Sequence, residues 1–308
     1  MKFKFPAIHI PGPVKTMIKL AISVAILVLI IRKVDERILL NVVREANPLW
    51  VMWALIWFIL SKVIAAFRFN VLLKTEDIHL THLQNLRLYW LCMYYNLLLP
   101  GGISGDGYKI KVLMEQFNRP LKRIVAVTLM DRISGLIALV EISLILLLWV
   151  PVTQPYWMWV IPALVVSCFV GWGLFRWGGG KLRSAWVKTS LQSIGVQGSQ
   201  AIATLGLVMA LGQGVHWIDY LVLFLISSLV AMVPFTLGGF GARELTFLYG
   251  SQFLFIDAEK AVAIGFLFYL ISTSVSLFGI VYSFKRGGFS FQLKDHETTV
   301  AVSKEKGD

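Results

Sequence analysis

The stretch Asn96-Leu97-Leu98-Leu99-Pro100-Gly101-Gly102-Ile103-Ser104-Gly105-Asp106-Gly107-Tyr108-Lys109 decides how this chain is read. It closes an apolar segment, residues 86–100, that is too short and too interrupted to cross a bilayer simply. A crossing helix needs roughly 20 largely apolar residues. Proline ends the preceding helix, and the glycines permit a tight turn or the close approach of a ligand. A second break, Pro234-Phe235-Thr236-Leu237-Gly238-Gly239-Phe240-Gly241-Ala242-Arg243-Glu244, opens the apolar segment 240–255. Broken backbone persists at membrane depth only where protein or a water-filled cavity satisfies it. Both segments are therefore predicted as half-helices or re-entrant hairpins inside an all-α, polytopic bundle.

Composition agrees with that frame. The chain has 308 residues, 57% hydrophobic and only 15% charged, too little charge to cover a soluble surface. Its 11 Trp, 9 Tyr and 20 Phe suit aromatic belts at two interfaces. Spans are expected near 15–32, 48–67, 124–150, 156–175, 198–212, 219–235 and 261–284. This makes one transmembrane domain, 1–290, of about seven spans plus two re-entrant segments near 86–107 and 236–256; residues 291–308 form a disordered cytoplasmic tail. Lys15 and Lys19 precede the apolar run 20–31 without a small-residue cleavage site, so the first segment reads as an uncleaved helix and not a signal peptide.

The formal charge of +12 lies in short segments between apolar runs, which points to topology and not to nucleic acid. Loops are read at 108–123, with Lys109, Lys111, Arg119, Lys122 and Arg123, and at 176–188, with Arg176, Lys181, Arg183 and Lys188. Arg68, Lys74 and Arg87 mark a third basic loop, and Lys62 is read as snorkelling from the end of its span. Placing these in the cytoplasm puts both termini there; the 32–47 loop, with Arg32, Lys33, Arg37 and Arg44, is the exception.

Three groups of residues can meet a headgroup. In the first break, Pro100, Gly101, Gly102 and Gly105 shape a turn, and a helix starting near Ser104 would aim free N–H groups into it. Asp106 and Lys109 would then gate or neutralise a charged headgroup. In the second, Gly238, Gly239 and Gly241 precede Arg243 and Glu244 in the first turn of a short helix. Glu244 suits the positive end of the helix dipole in any case, whereas Arg243 in apolar surroundings calls for a reason. The third is Asp131-Arg132 with Glu141 further along the same helix. A charge at the bilayer centre costs about 2.5–3.5 kcal/mol on insertion scales. These three are read as a polar cavity wall, against the simpler reading of an interhelical ion pair, because Gly135 lets another element approach. Matching Gly/Pro interruptions in two parts of a membrane protein point to a midplane site.

No P-loop, HExxH, GxSxG or dinucleotide fingerprint is present, so no catalytic residue and no cofactor is expected. No metal spacing stands out, and Cys92 and Cys168 read as small buried thiols in apolar stretches.

The run 96–106, the run Val125-Ala126-Val127-Thr128-Leu129-Met130-Asp131-Arg132-Ile133-Ser134-Gly135-Leu136 and the run 234–244 together resemble the lysylphosphatidylglycerol synthase transmembrane family, also called flippase-like or UPF0104. The resemblance covers roughly residues 15–285. It implies a lipid translocator of the bacterial inner membrane. The best-known members move aminoacylated phosphatidylglycerol, and relatives are associated with hopanoid movement or with glycosyl transfer to dolichol phosphate. Only a short tail follows the last helix, with no aminoacyltransferase domain, so synthesis of the lysyl-lipid is not expected. The reading is a translocator of a lipid or lipid-linked headgroup. The alternatives are a polyprenyl-phosphate-dependent glycosyltransferase and an accessory subunit of a lipid-modifying enzyme. Membrane lipids with anionic or phosphate-containing headgroups are the expected partners, with room for a homo-oligomer or a neighbouring lipid-modifying enzyme.

Overall fold

A computed structural model describes residues 44–98, 104–232 and 242–283. The expected first span, the breaks at 99–103 and 233–241, and the tail lie outside these residues. The described chain is helical, without a strand among these residues. Its helices are α1 (Pro48–Lys74), α2 (His82–Leu98), α3 (Ser104–Phe117), α4 (Leu121–Leu147), α5 (Trp157–Trp177), α6 (Leu182–Ala210), α7 (Trp217–Ala231), α8 (Ala242–Phe253), α9 (Ala258–Leu277) and the short α10 (Ile280–Ser283). Five stretches, Pro48–Lys74, Thr153–Trp177, Leu182–Ala210, Gly214–Ala231 and Ala258–Ser283, are long and apolar enough to cross a membrane. The protein is a multi-pass membrane bundle.

Local chemistry sets the ends of these helices. Asn47 caps α1 by accepting a hydrogen bond from the Leu49 amide at 3.0 Å, and Pro48 fits the first turn, where its missing N–H costs nothing. Lys74 in the last turn suits the negative end of the dipole. Asp257 caps α9 through the amides of Glu259 and Lys260 at 2.9 and 3.1 Å. At 27 residues α1 is about 40 Å long, enough to cross a core of about 30 Å with some tilt. α5 turns most of its surface outward and carries Tyr156, Trp157 and Trp159 at one end, Trp172 and Trp177 at the other, all exposed, in the pattern of lipid-facing aromatic belts.

Four expectations need correction. The 198–212 span begins earlier, because α6 is continuous from Leu182 and places Arg183 and Lys188 on a helix and not in a loop. Its weak apolar signal reflects a buried helix: a Cβ on Gly206 would come within 2.8 Å of the Trp53 ring, so small residues let α1 and α6 lie close together. The expected 108–123 loop is mostly α3, and Lys109 on it is 3% exposed. The expected basic loop at 68–87 starts later, because α1 runs through Arg68. Of the two thiols expected to be buried, Cys92 is, whereas Cys168 lies on the outward-turned α5 and is exposed.

Two hairpins set the bundle's polarity. Arg119, after α3, is 4.0 Å from Asp77, before α2, so α2 and α3 leave and return at one end of the bundle. That end also holds Arg123 against Glu76 and Lys181 against Asp77. Lys260, in the first turn of α9, pairs with Glu45 beside the start of α1, and the Asn47 amide bonds the Ala210 carbonyl at the end of α6. So α7 and α8, which lie between the end of α6 and the start of α9, leave and return at the opposite end.

The core is layered. One apolar cluster gathers Ala54, Phe58, Leu139, Ala203, Leu207, Phe224 and Phe268. A second gathers Phe69, Leu72, Leu88, Val127, Met130, Leu182 and Ala185. On α1, α4 and α6 alike, the stretch between these two clusters contains the polar residues described next.

Candidate functional site

Between the two apolar clusters lies a cavity of about 220 Å³. That is many times the roughly 10–15 Å³ that a single water requires. α1 lends it Lys62, Ala65 and Arg68; α2 lends Tyr89, Cys92, Met93 and Asn96. α3 supplies Asp106 and Lys109, α4 supplies Asp131, Arg132 and Gly135, and α6 supplies Val196, Gln197 and Gln200. Met232, at the end of α7, completes the lining.

Two ion-pair systems organise the wall. Arg68 Nε lies 2.8 Å from Asp131 Oδ1, and both residues are 5% exposed. Arg68 Nη1 also donates to Ser193 Oγ at 2.9 Å, which ties α1, α4 and α6 together. Asp106 is shared: Lys109 Nζ approaches Oδ1 at 3.5 Å and Arg132 Nε bonds Oδ2. The Lys109 ammonium stands 4.1 Å from the Phe69 ring centroid and 5.1 Å from that of Tyr89, so aromatic faces replace part of its lost hydration.

Small residues create the room. A Cβ on Gly135 would sit 3.1 Å from Arg68 Nη1, and Gln197 Nε2 donates to the buried Gly135 carbonyl at 3.1 Å. A Cβ on Gly105 would run into the Cys92 carbonyl. Instead the Gly105 amide donates to Asn96 Oδ1 at 2.8 Å, and Ser104 Oγ donates to the Tyr95 carbonyl at 2.6 Å. The α2–α3 hairpin is thereby closed tightly enough to carry Asn96 and Asp106 to the cavity.

Of the residues singled out in the sequence, Asp106, Lys109, Asp131, Arg132 and Gly135 converge here, with Gly105 directly behind the wall. Pro100, Gly101, Gly102, Gly238, Gly239 and Gly241 lie outside the described residues, as does the Glu244 side chain. Arg243 stands beside the cavity but does not line it. Its guanidinium lies 5.5 and 5.1 Å from the Phe224 and Phe268 centroids, and Nη2 reaches Ser228 Oγ at 3.4 Å. Glu141 is a correction: it turns toward α5, where Cys168 Sγ and Ser167 Oγ contact it at 3.2 and 3.5 Å, and it is not part of the wall. The polar wall and the interhelical ion pair also prove compatible, because Asp131 does both.

Two cations escaped the sequence reading. Arg68 was assigned to a loop, yet it lies within an uninterrupted helical run whose neighbours Phe69, Leu72 and Leu73 are buried. Lys62 was assigned to snorkelling, yet it lies about 18–21 Å along the axis from either end of α1, farther than a lysine side chain spans.

These features define a helical membrane protein with an ion-lined interior site. The family model for the lysylphosphatidylglycerol synthase TM region matches residues 16–185, and the chain belongs to that family. No curated protein matches it. The matched stretch includes α1 to α4, and so most of the charged wall.

Proposed function

We propose that this protein is a lipid translocator of the bacterial inner membrane, passing an anionic or phosphate-bearing headgroup through the cavity while the tails stay in hydrocarbon. The carrying observation is that four cations, Lys62, Arg68, Lys109 and Arg132, and two carboxylates, Asp106 and Asp131, line one cavity between two apolar cores. Ionised groups at such depth are costly and tend to mark substrate paths. The excess of cations among the described residues favours an anion.

Orientation follows from the basic end of the bundle. Lys74, Arg119, Lys122, Arg123, Lys181 and Arg183 cluster there, whereas the segments 148–156 and 211–216 contain no Lys or Arg. We infer that the basic end is cytoplasmic. The α2–α3 hairpin then enters from the cytoplasm and α7–α8 from the other side, with Asn96, Asp106 and Met232 bringing both toward the same cavity.

The glycosyltransferase reading is weaker, because both cavity carboxylates are held in ion pairs and neither stands ready as a base. Reconstitution into vesicles with fluorescent or isotopically labelled phospholipids tests the proposal. Accelerated leaflet exchange with no new chemical species is the expected result. Formation of a new glycolipid, or no exchange of any lipid, would overturn it.

A further inference from the structure

The cavity's cations are not equivalent. Arg68 is committed to Asp131, and Lys109 and Arg132 share Asp106. Lys62 makes neither a hydrogen bond nor an ion pair among the described residues; its ammonium rests 4.4 Å from the Phe58 ring centroid. Its charged neighbours, Arg68 and Arg243, are both positive. A bare ammonium at mid-membrane beside like charges is unfavourable by every rule of burial. It also cannot relieve itself by snorkelling, because both ends of α1 are out of reach.

Two neutral donors share this condition. The Gln200 amide and the Tyr89 hydroxyl also line the cavity, and neither side chain has a hydrogen bond among the described residues. The register of α1 against α6 brings Lys62 level with the wall of the latter. A Cβ on Gly195 lies 3.7 Å from Ile64, and one on Gly206 lies 2.8 Å from Trp53, so the antiparallel pairing passes Lys62 close to Gln197 and one turn from Gln200. An ammonium, an amide and a phenol, all unpartnered and facing one space, form a donor set for oxygen atoms of a phosphate. A second ammonium would meet the like charge of Lys62 there.

We propose that Lys62, supported by Gln200 and Tyr89, is the phosphate-binding residue of the transported lipid, and that it selects lipids of net negative charge over zwitterionic and aminoacylated ones. This rests on the translocation reading and sharpens it. Lys62 is a specificity-determining residue: Arg68 and Asp131 hold the wall, and Lys62 meets the ligand.

The test compares leaflet exchange of labelled phosphatidylglycerol, phosphatidylethanolamine and lysyl-phosphatidylglycerol in vesicles carrying the full chain, Lys62→Gln or Lys62→Arg. The intact protein is expected to favour phosphatidylglycerol. Lys62→Gln should slow its exchange about tenfold or more while the other lipids change little, and Lys62→Arg should restore it. Thermal unfolding in detergent provides a separate reading. Removing an unpartnered charge should leave the midpoint unchanged or raise it, whereas a lysine with a structural pairing role would lower it. Equal exchange of all three lipids, preference for the aminoacylated one, or unimpaired phosphatidylglycerol exchange in Lys62→Gln would overturn the assignment of Lys62 and leave translocation standing. Absence of exchange for every lipid in the intact protein would overturn translocation itself.

Discussion

The hairpins α2–α3 and α7–α8 enter from opposite ends of the bundle, yet they are built from different materials. α2–α3 is closed by polar bonds, Gly105 to Asn96 and Ser104 to Tyr95, and by tilted stacking of Tyr95 on Tyr108 at 4.5 Å. Its inner end carries Asp106 and Lys109. α7–α8 is held mainly by apolar packing, with a long bond from Arg243 to Ser228 beside it: Phe224 and Phe247 are fully buried, and the Phe224 ring lies 4.5 Å from that of Phe268. Its outer flank, lined by Val222, Leu245, Tyr249 and Phe253 among others, leaves an apolar cleft of about 500 Å³. Directional bonds fix geometry, while apolar contacts tolerate sliding. The first hairpin is therefore held in the more fixed geometry, and the second can shift at smaller cost.

That contrast is strongest at the ion pair behind the first hairpin. Asp131→Asn leaves Arg68 buried and uncompensated, so a loss of about 3–5 kcal/mol is expected in detergent unfolding. The double replacement Arg68→Met with Asp131→Leu should recover most of the stability without recovering exchange. Full recovery of both would reduce the pair to a packing device.

Glycine substitutions compare the hairpins directly. In Gly105→Ala the new methyl meets a backbone carbonyl that cannot step aside, and a cost of about 1–3 kcal/mol with loss of exchange is expected. In Gly250→Ala it meets the end of the Leu223 side chain, which can rotate, so a cost below about 1.5 kcal/mol is expected. Equal effects, measured by thermal unfolding and exchange together, would abolish the distinction between a rigid and a mobile hairpin.

Arg243→Ala removes contacts with two aromatic faces, and a loss of about 1 kcal/mol is expected at this half-buried position. Arg243→Lys, which keeps the charge but not the planar group, should retain only part of the exchange rate. The smallest effect belongs to the basic end. The hydrogen bond from Lys181, at 2.5 Å, holds the exposed Asp77 carboxyl below the usual carboxylate range, with Arg119 and His79 adding to it. A lowered pKa in the folded state means that this contribution is present above the unfolded value, about 3.9, and fades as pH falls through the folded value. Asp77→Asn should lower the unfolding midpoint slightly near neutrality and flatten its fall across that acidic window, as a pH series of unfolding midpoints would register.

Much of this was legible in sequence, because membranes tax polarity so heavily. Asp131-Arg132 stands out against apolar neighbours and points to the interior, where both residues line the cavity. What stayed hidden was register. Arg68 and Lys62 sit in a helix whose end was read too early, since a charge looks the same whether it terminates a span or lines a cavity. Glu141 misled for the opposite reason: its depth was legible, but the helix face it occupies depends on where α5 packs. Lys109 was divided between the site and a loop because α3 has too little apolar character to announce a helix.

The two apolar clusters that bracket the polar layer carry a further consequence. Phe58 with its neighbours on one side and Phe69 with its neighbours on the other place close apolar packing on both sides of the ionised layer. Such a bundle should be electrically tight at rest. Vesicles of zwitterionic lipid containing it should sustain a potassium diffusion potential as long as protein-free ones.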